Sequence, residues 1–292
     1  MTRSPARSVL LSRDTLLWLL IVLILAGVCV MLGRWQFGRY EDRRAHADLV
    51  ASHYDAAPVD RESILPTPDA SLPPDAEWSP ITLRGSYCTD PECILYVRNR
   101  TLAGDVGYWQ LAPFTAEDGT ALLVVRGWVP QDGDGQVPAQ PAAVPEDTVT
   151  ITVRLRPPEP VLDRERPEGQ VHSVSPQQIE TILPPLDAAM ITGAYGELDA
   201  EDPAGERPIP LPRPDTGLGP HLSYAVQWWV FALFFPAAWI YRTRRQIQDL
   251  RTETNPDPTP HRVDHRPRSA ARTRRRGHDE EEEDALIDQH TL

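Results

Sequence analysis

The sequence predicts a membrane protein: two transmembrane α-helices flank a mainly antiparallel β domain, barrel- or sandwich-like and α+β in type, and a disordered C-terminal tail follows. Three observations predict it. Two uncharged apolar runs of 18 residues, Thr15–Leu32 and Tyr224–Tyr241, bracket the middle of the chain. Between Trp78 and Arg156 the apolar residues recur at every second position, the period of a half-buried strand. Beyond residue 252 apolar periodicity ends and a basic run, RPRSAARTRRRG, gives way to an acidic one, DEEEED.

The elements follow in order. Residues 1–14 read as a short basic leader on the cytoplasmic side. The run at 15–32 is the first transmembrane helix; at ~1.5 Å per residue it covers about 27 Å, close to one bilayer core. No small-x-small cleavage site follows it, which argues against a signal peptide. Trp35, Arg39 and Asp42 continue at helical spacing, so the helix should outlast the bilayer. Residues 56–77, rich in Pro, Ala and Asp, read as a loop.

Strands are expected at ITLRGSY, where Ile81, Leu83, Gly85 and Tyr87 share a face, and at ILYVRNR, GYWQLAPFTA, ALLVVRGWVP and TVTITVRLR. AGDVG and TAEDGTA are turns, the second with Gly119 available for positive φ. A Gly/Pro-rich excursion occupies 133–147. Ser175 as N-cap and Pro176 at the first helical position predict a short helix in SPQQIETIL. AAMITGAYGEL reads as one further strand. The β-rich domain thus spans 33–223, the second transmembrane helix 224–241, and a basic-then-acidic tail 242–292.

Arginine sets the orientation, since the chain has no lysine. Arg242, Arg244 and Arg245 follow the second apolar run at once, which predicts a cytoplasmic C-terminal side. Two spans then place both termini in the cytoplasm and 33–223 outside, in a multi-pass protein of the plasma membrane. Residues 33–223 hold twice as many carboxylates as arginines. A net charge of −13 argues against a nucleic-acid partner.

Enzyme signatures are absent from the sequence: there is no GxSxG, no phosphate-binding Gly-rich loop and no HExxH. The chain therefore reads as a non-enzyme. Cys88 and Cys93 in CTDPEC leave three readings open: a disulfide, two free thiols, or two metal ligands. Cys29 lies in an apolar run and reads as packing. Arg126, in VVRGWVP, stands at the end of an apolar strand and needs a partner, either a carboxylate or an anionic group such as a propionate. Gly107, before Tyr108 and Trp109, allows close approach of a backbone or ligand, or forms a bulge. On a helix starting near Pro220, His221, Tyr224, Ala225, Trp228, Phe231, Ala232 and Phe235 share a face. That stripe suits a flat apolar macrocycle with one axial ligand to its iron. It also suits packing against the first helix, where Ala26, Gly27 and Gly33 offer small surfaces.

Three stretches taken together, LGRWQFGRYEDR, VRNRTLAGDVGYWQLAPFTAEDGTALLVVRGWVP and HLSYAVQWWVFAL, resemble the Surfeit locus protein 1 family over residues 15–245. The resemblance implies two membrane helices around an extracytoplasmic domain and a chaperone-like role in cytochrome c oxidase assembly. Its implied partners are oxidase subunits, above all the haem-bearing catalytic subunit, and membrane lipid. Its implied cargo is haem a, held transiently. His221 matches the candidate haem ligand and so the metal position; Tyr224, Trp228, Arg126 and Gly107 match other motif positions. The other expectation is a structural accessory bound to an oxidase or respiratory supercomplex without handling haem. The acidic loop, the Cys88/Cys93 pair and the charged tail depart from the family pattern.

Overall fold

The computed structural model describes residues 9–131 and 142–254, with side chains to Thr252. The leader before residue 9, most of the excursion at 133–147 and the tail after residue 254 lie outside the described residues. The chain divides into two compact units. One is Leu20–Ala238; the other combines, among the described residues, 9–19 with 239–254.

Two long helices carry the apolar runs. Helix α1 spans Arg13–His53 as one element of 41 residues, so the helix does outlast its apolar run. Ser12 caps it: its Oγ accepts from the Thr15 backbone N–H at 3.3 Å and donates to the Thr15 hydroxyl at 2.8 Å. The last helix runs His221–Thr254 and ends later than expected. Residues 242–254, the start of the segment assigned to the tail, are helical, because Arg, Gln and Leu are good helix formers whether or not a face is apolar. Both helices are long and apolar enough to cross a membrane.

Among the described residues, eight strands build the domain between them: β1 Pro80–Tyr87, β2 Leu95–Leu102, β3 Asp105–Ala116, β4 Thr120–Pro130, β5 Val149–Arg156, β6 Gln170–Val171, β7 Ala189–Met190 and β8 Tyr195–Asp202. β1 pairs with β3 and β5, β5 with β8, β8 with β4, and β4 with β3. Those five pairings close a ring, which makes the domain barrel-like. Most pairs are antiparallel; β4 with β7, β4 with β8, and β2 with β6 are parallel. Each ring strand is thereby paired on both sides, while β6 and β7 stand at the two ends of the sheet order. Both turns form as expected: Ala103 and Gly104 take positive φ between paired Leu102 and Asp105, and Gly119 has φ +80°.

Alternation sorts the side chains into two cores. Ile81, Leu83, Tyr87, Phe114, Leu122, Val124, Ile151, Val153 and Leu155 face one core, with Leu65 and Leu72 from the preceding loop. Leu111, Leu123, Val125, Val171 and Tyr195 face the other, which is closed by Ile179 of the short helix α2, Pro176–Glu180. The last helix is accordingly α3. Ser175 holds the N-cap position of α2 but makes no side-chain cap bond; it is buried instead.

One expected strand is two. AAMITGAYGEL breaks into β7 and β8 because Gly193 passes against the 70–72 backbone. Leu72 N–H donates to Gly193 O at 3.1 Å, and a Cβ on Gly193 would meet the carbonyl oxygen of Ala70. The 56–77 loop also contains two single 3₁₀ turns, Arg61–Ser63 and Pro74–Ala76.

Candidate functional site

His221 opens α3, one residue after Pro220. Its placement depends on the return segment before it. Arg213 pairs with Asp55 at 2.8 Å and Arg43 with Asp215 at 3.9 Å, which ties that segment to the C-terminal half of α1 and the residues just after it. All four groups are largely exposed, so these pairs guide position more than stability. His221 Nδ1 then lies 3.0 Å from Gln36 Oε1. An amide oxygen only accepts, so with this amide orientation Nδ1 carries the proton and Nε2 keeps its lone pair. On the Nε2 side stands Gly219, at φ +63°; a Cβ there would lie 3.4 Å from Nε2 and 3.3 Å from Cδ2. Glycine serves twice at that position, adopting the left-handed backbone and leaving the ring edge uncrowded.

Below His221 the two helices meet locally around Trp229. The Trp229 indole covers Gly33, where a Cβ would clash with its Nε1, and its ring lies 5.7 Å from Phe37. Ala225 and Ala232 are buried on the same side. The small surface is therefore Gly33; Gly27, expected to share this role, has nothing within contact of a Cβ. The expected stripe splits. Ala225 and Ala232 face inward, whereas Tyr224 and Phe231 remain 48% and 39% exposed. Trp228 is half-buried and meets Phe231 edge-on at 6.0 Å. An aromatic strip thus stays open along α3 below the imidazole. Gln36 is the residue of this contact that sequence reasoning misses, although a signal is present: 29, 33, 36, 37 and 40 form a helical stripe of α1.

Arg126 sits elsewhere, within the β domain. Gln110 pairs with Gly127 and Leu111 with Val125, so Arg126 is the extra residue of a β-bulge. Bulges re-aim side chains, and Arg126 shares the inward face of Leu122 and Val124. It is 1% exposed. Its guanidinium donates to Ala143 O and Glu206 O, each at 2.9 Å, and to Gln110 Oε1 at 3.2 Å. Glu201 Oε2 lies 3.7 Å away, and the Tyr87 ring is 5.2 Å from the guanidinium carbon. The expected carboxylate partner exists, but two backbone carbonyls and an amide do most of the hydrogen bonding. Burial pushes the Tyr87 hydroxyl far above its ordinary range, and the Glu201 carboxylate adds to the rise.

Gly107 also has a protein neighbour. A Cβ there would overlap Val129 O and stand 2.5 Å from the Trp128 ring. Close approach is what Gly107 provides, and its occupant is Trp128, whose Nε1 donates to Arg100 O at 2.7 Å. The structure therefore brings His221, Tyr224 and Trp228 onto one helix, while the contacts of Arg126 and Gly107 lie in the β domain. Cys88 and Cys93 form a disulfide, and Cys29 is a buried free thiol. Among the described residues there is no cluster of three or more His, Cys, Asp or Glu side chains fit to hold a metal ion.

The chain is similar to SURF1-like proteins of Mycobacterium bovis and Mycobacterium tuberculosis. Each is 32% identical over 262 residues, covering 88% of this chain and 93% of the relative. A SURF1-like protein of Rickettsia felis is 25% identical over 109 residues, 37% of this chain and 45% of that one. The pattern that defines the SURF1 family matches residues 23–233, from the α1 stretch bearing Gly33 and Gln36, through the bulged β4, to His221 and the open strip of α3. This chain belongs to the SURF1 family.

Proposed function

We propose that this protein is a membrane-anchored assembly factor for haem–copper cytochrome c oxidase, and that it holds haem a transiently as cargo for the catalytic subunit. The reading joins the family resemblance to one observation: His221 Nδ1–H donates to Gln36 Oε1, which leaves Nε2 as the basic nitrogen. Histidines that ligate metals usually donate their other ring nitrogen to an oxygen acceptor, which fixes the tautomer and raises ligand basicity. Gly219 keeps the Nε2 edge open. Tyr224, Trp228 and Phe231 offer exposed aromatic surface for a macrocycle. In this reading Arg126 and Gly107 maintain the β domain, and neither touches the cargo.

The two long apolar helices span the plasma membrane, with both termini cytoplasmic and 33–223 outside, because Arg242, Arg244 and Arg245 are retained inside. The Cys88–Cys93 disulfide accords with an oxidising exterior. A cysteine introduced at Asp163, in the exposed segment after β5, should react with an impermeant maleimide in intact cells. Reaction only after permeabilisation would overturn the orientation.

The cargo is tested by purifying the full chain from a haem a-producing host. Wild type should show a Soret band, and His221→Ala should lose most of it while membrane insertion persists. Equal haem in both proteins, or none in either, removes the ligand role. Co-purification of oxidase subunits with haem-free protein would instead establish the structural-accessory reading.

A further inference from the structure

We propose that the cavity between the N-terminal turns of α1 and the 239–250 segment of α3 binds a phospholipid with a primary-amine headgroup. The proposal rests on the membrane-spanning reading above. The cavity measures about 510 Å³, within the roughly 300–1,000 Å³ range of small-ligand sites.

Its lining is chemically mixed. Arg242 is the one cation among the described lining residues, and its guanidinium lies 5.0 Å from the centre of the Trp18 ring. Stacking occupies a guanidinium's face and leaves its N–H edge free for an anion, and a phosphodiester is matched by that edge. Asp14 and Asp249 supply two carboxylates in the same wall. An anionic headgroup would bring a further negative charge beside them. A choline has no N–H to give a carboxylate, whereas a primary ammonium has three. One guanidinium and two carboxylates are therefore complementary to a phosphate and an ammonium in one headgroup.

Position agrees with chemistry. Trp18 and Trp239 line the cavity, and tryptophan concentrates at the level of lipid headgroups. Thr15 and Thr243, also in the wall, are among the few buried polar residues of the two helices. The Ser12 cap fixes the first turn of α1 and with it Asp14 and Thr15.

The full chain would be inserted into nanodiscs of equimolar phosphatidylethanolamine, phosphatidylglycerol and phosphatidylcholine with identical acyl chains. Tightly held lipid is then read by native mass spectrometry after partial delipidation. Phosphatidylethanolamine should be enriched several-fold over both others. Arg242→Gln and Asp249→Asn should each bring it back to the bulk ratio, while Arg251→Gln, outside the cavity, should leave the enrichment intact. Unchanged helix content by circular dichroism excludes misfolding of the variants. Equal retention of the three lipids, preference for phosphatidylglycerol, or enrichment that survives both substitutions overturns the proposal and leaves annular lipid only. Carbonate extraction separates this failure from failure of the membrane reading, because a chain that does not span is released.

Discussion

His221 Nδ1 and Gln36 Oε1 stand 3.0 Å apart, although 185 residues separate them in sequence. One hydrogen bond ties the start of α3 to α1 and leaves Nε2 as the unprotonated ring nitrogen. If His221 ligates haem as proposed, Gln36 is its positioning residue. Gln36→Leu should lower haem retention by about 10–100-fold in affinity, the range seen when a ligand's orienting partner is lost. Gln36→Glu keeps an acceptor at Nδ1 and should retain haem. Soret titration of both variants checks this, and a fully active Gln36→Leu protein would show the bond to be incidental.

Substitution at the ligand itself should be graded. His221→Met offers a thioether, so it should keep partial haem with an altered absorption maximum, whereas His221→Ala should keep almost none. Identical spectra for the two variants would place the iron elsewhere.

Gly219→Val should separate binding from folding. Its left-handed backbone costs a β-branched residue roughly 1–2 kcal/mol, and its side chain would enter the space beside Nε2. Normal protein abundance with reduced haem is the expected outcome in membranes.

Arg126→Ala should act on stability. It would leave Glu201, whose side chain is 2% exposed, as an uncompensated buried charge. Losses of about 3–5 kcal/mol accompany such breaks. Protein abundance should fall sharply and recover in part in Arg126→Met with Glu201→Leu, where no charge remains. Thermal unfolding of the detergent-solubilised chain measures both.

Acid should loosen the loop before β1. Arg61, 6% exposed, donates to Asp118 Oδ2 through Nε at 3.0 Å and Nη2 at 2.8 Å. Burial alone would raise the Asp118 carboxyl, but hydrogen bonds from Thr120 and Arg61, with the Arg61 charge, hold it below its ordinary value of 3.8. A lowered folded value means the contribution is complete above 3.8 and is lost as pH falls through the lower folded value. Asp118→Asn should flatten this acid limb of the stability profile, as followed by far-UV circular dichroism against pH.

Local pattern was enough for much of this protein. Uncharged runs announced α1 and α3, period-two alternation announced β1 to β5, and Gly119 announced its hairpin, because each depends on residues close together in the chain. AAMITGAYGEL read as one strand because nothing local reveals that the backbone at 70–72 presses on Gly193. Arg126 was legible as a charge in need of a partner, but its partners lie at Gln110, Ala143, Glu201 and Glu206, and only barrel closure assembles them. His221 was legible by its place on the helix threshold, and Tyr224 and Trp228 by helical spacing. Which stripe residues turn inward was settled by the Trp229–Gly33 contact, and which nitrogen stays free by Gln36. Periodicity determines which face of an element is apolar. Only tertiary packing decides what that face meets, because the partner arrives from a distant part of the chain.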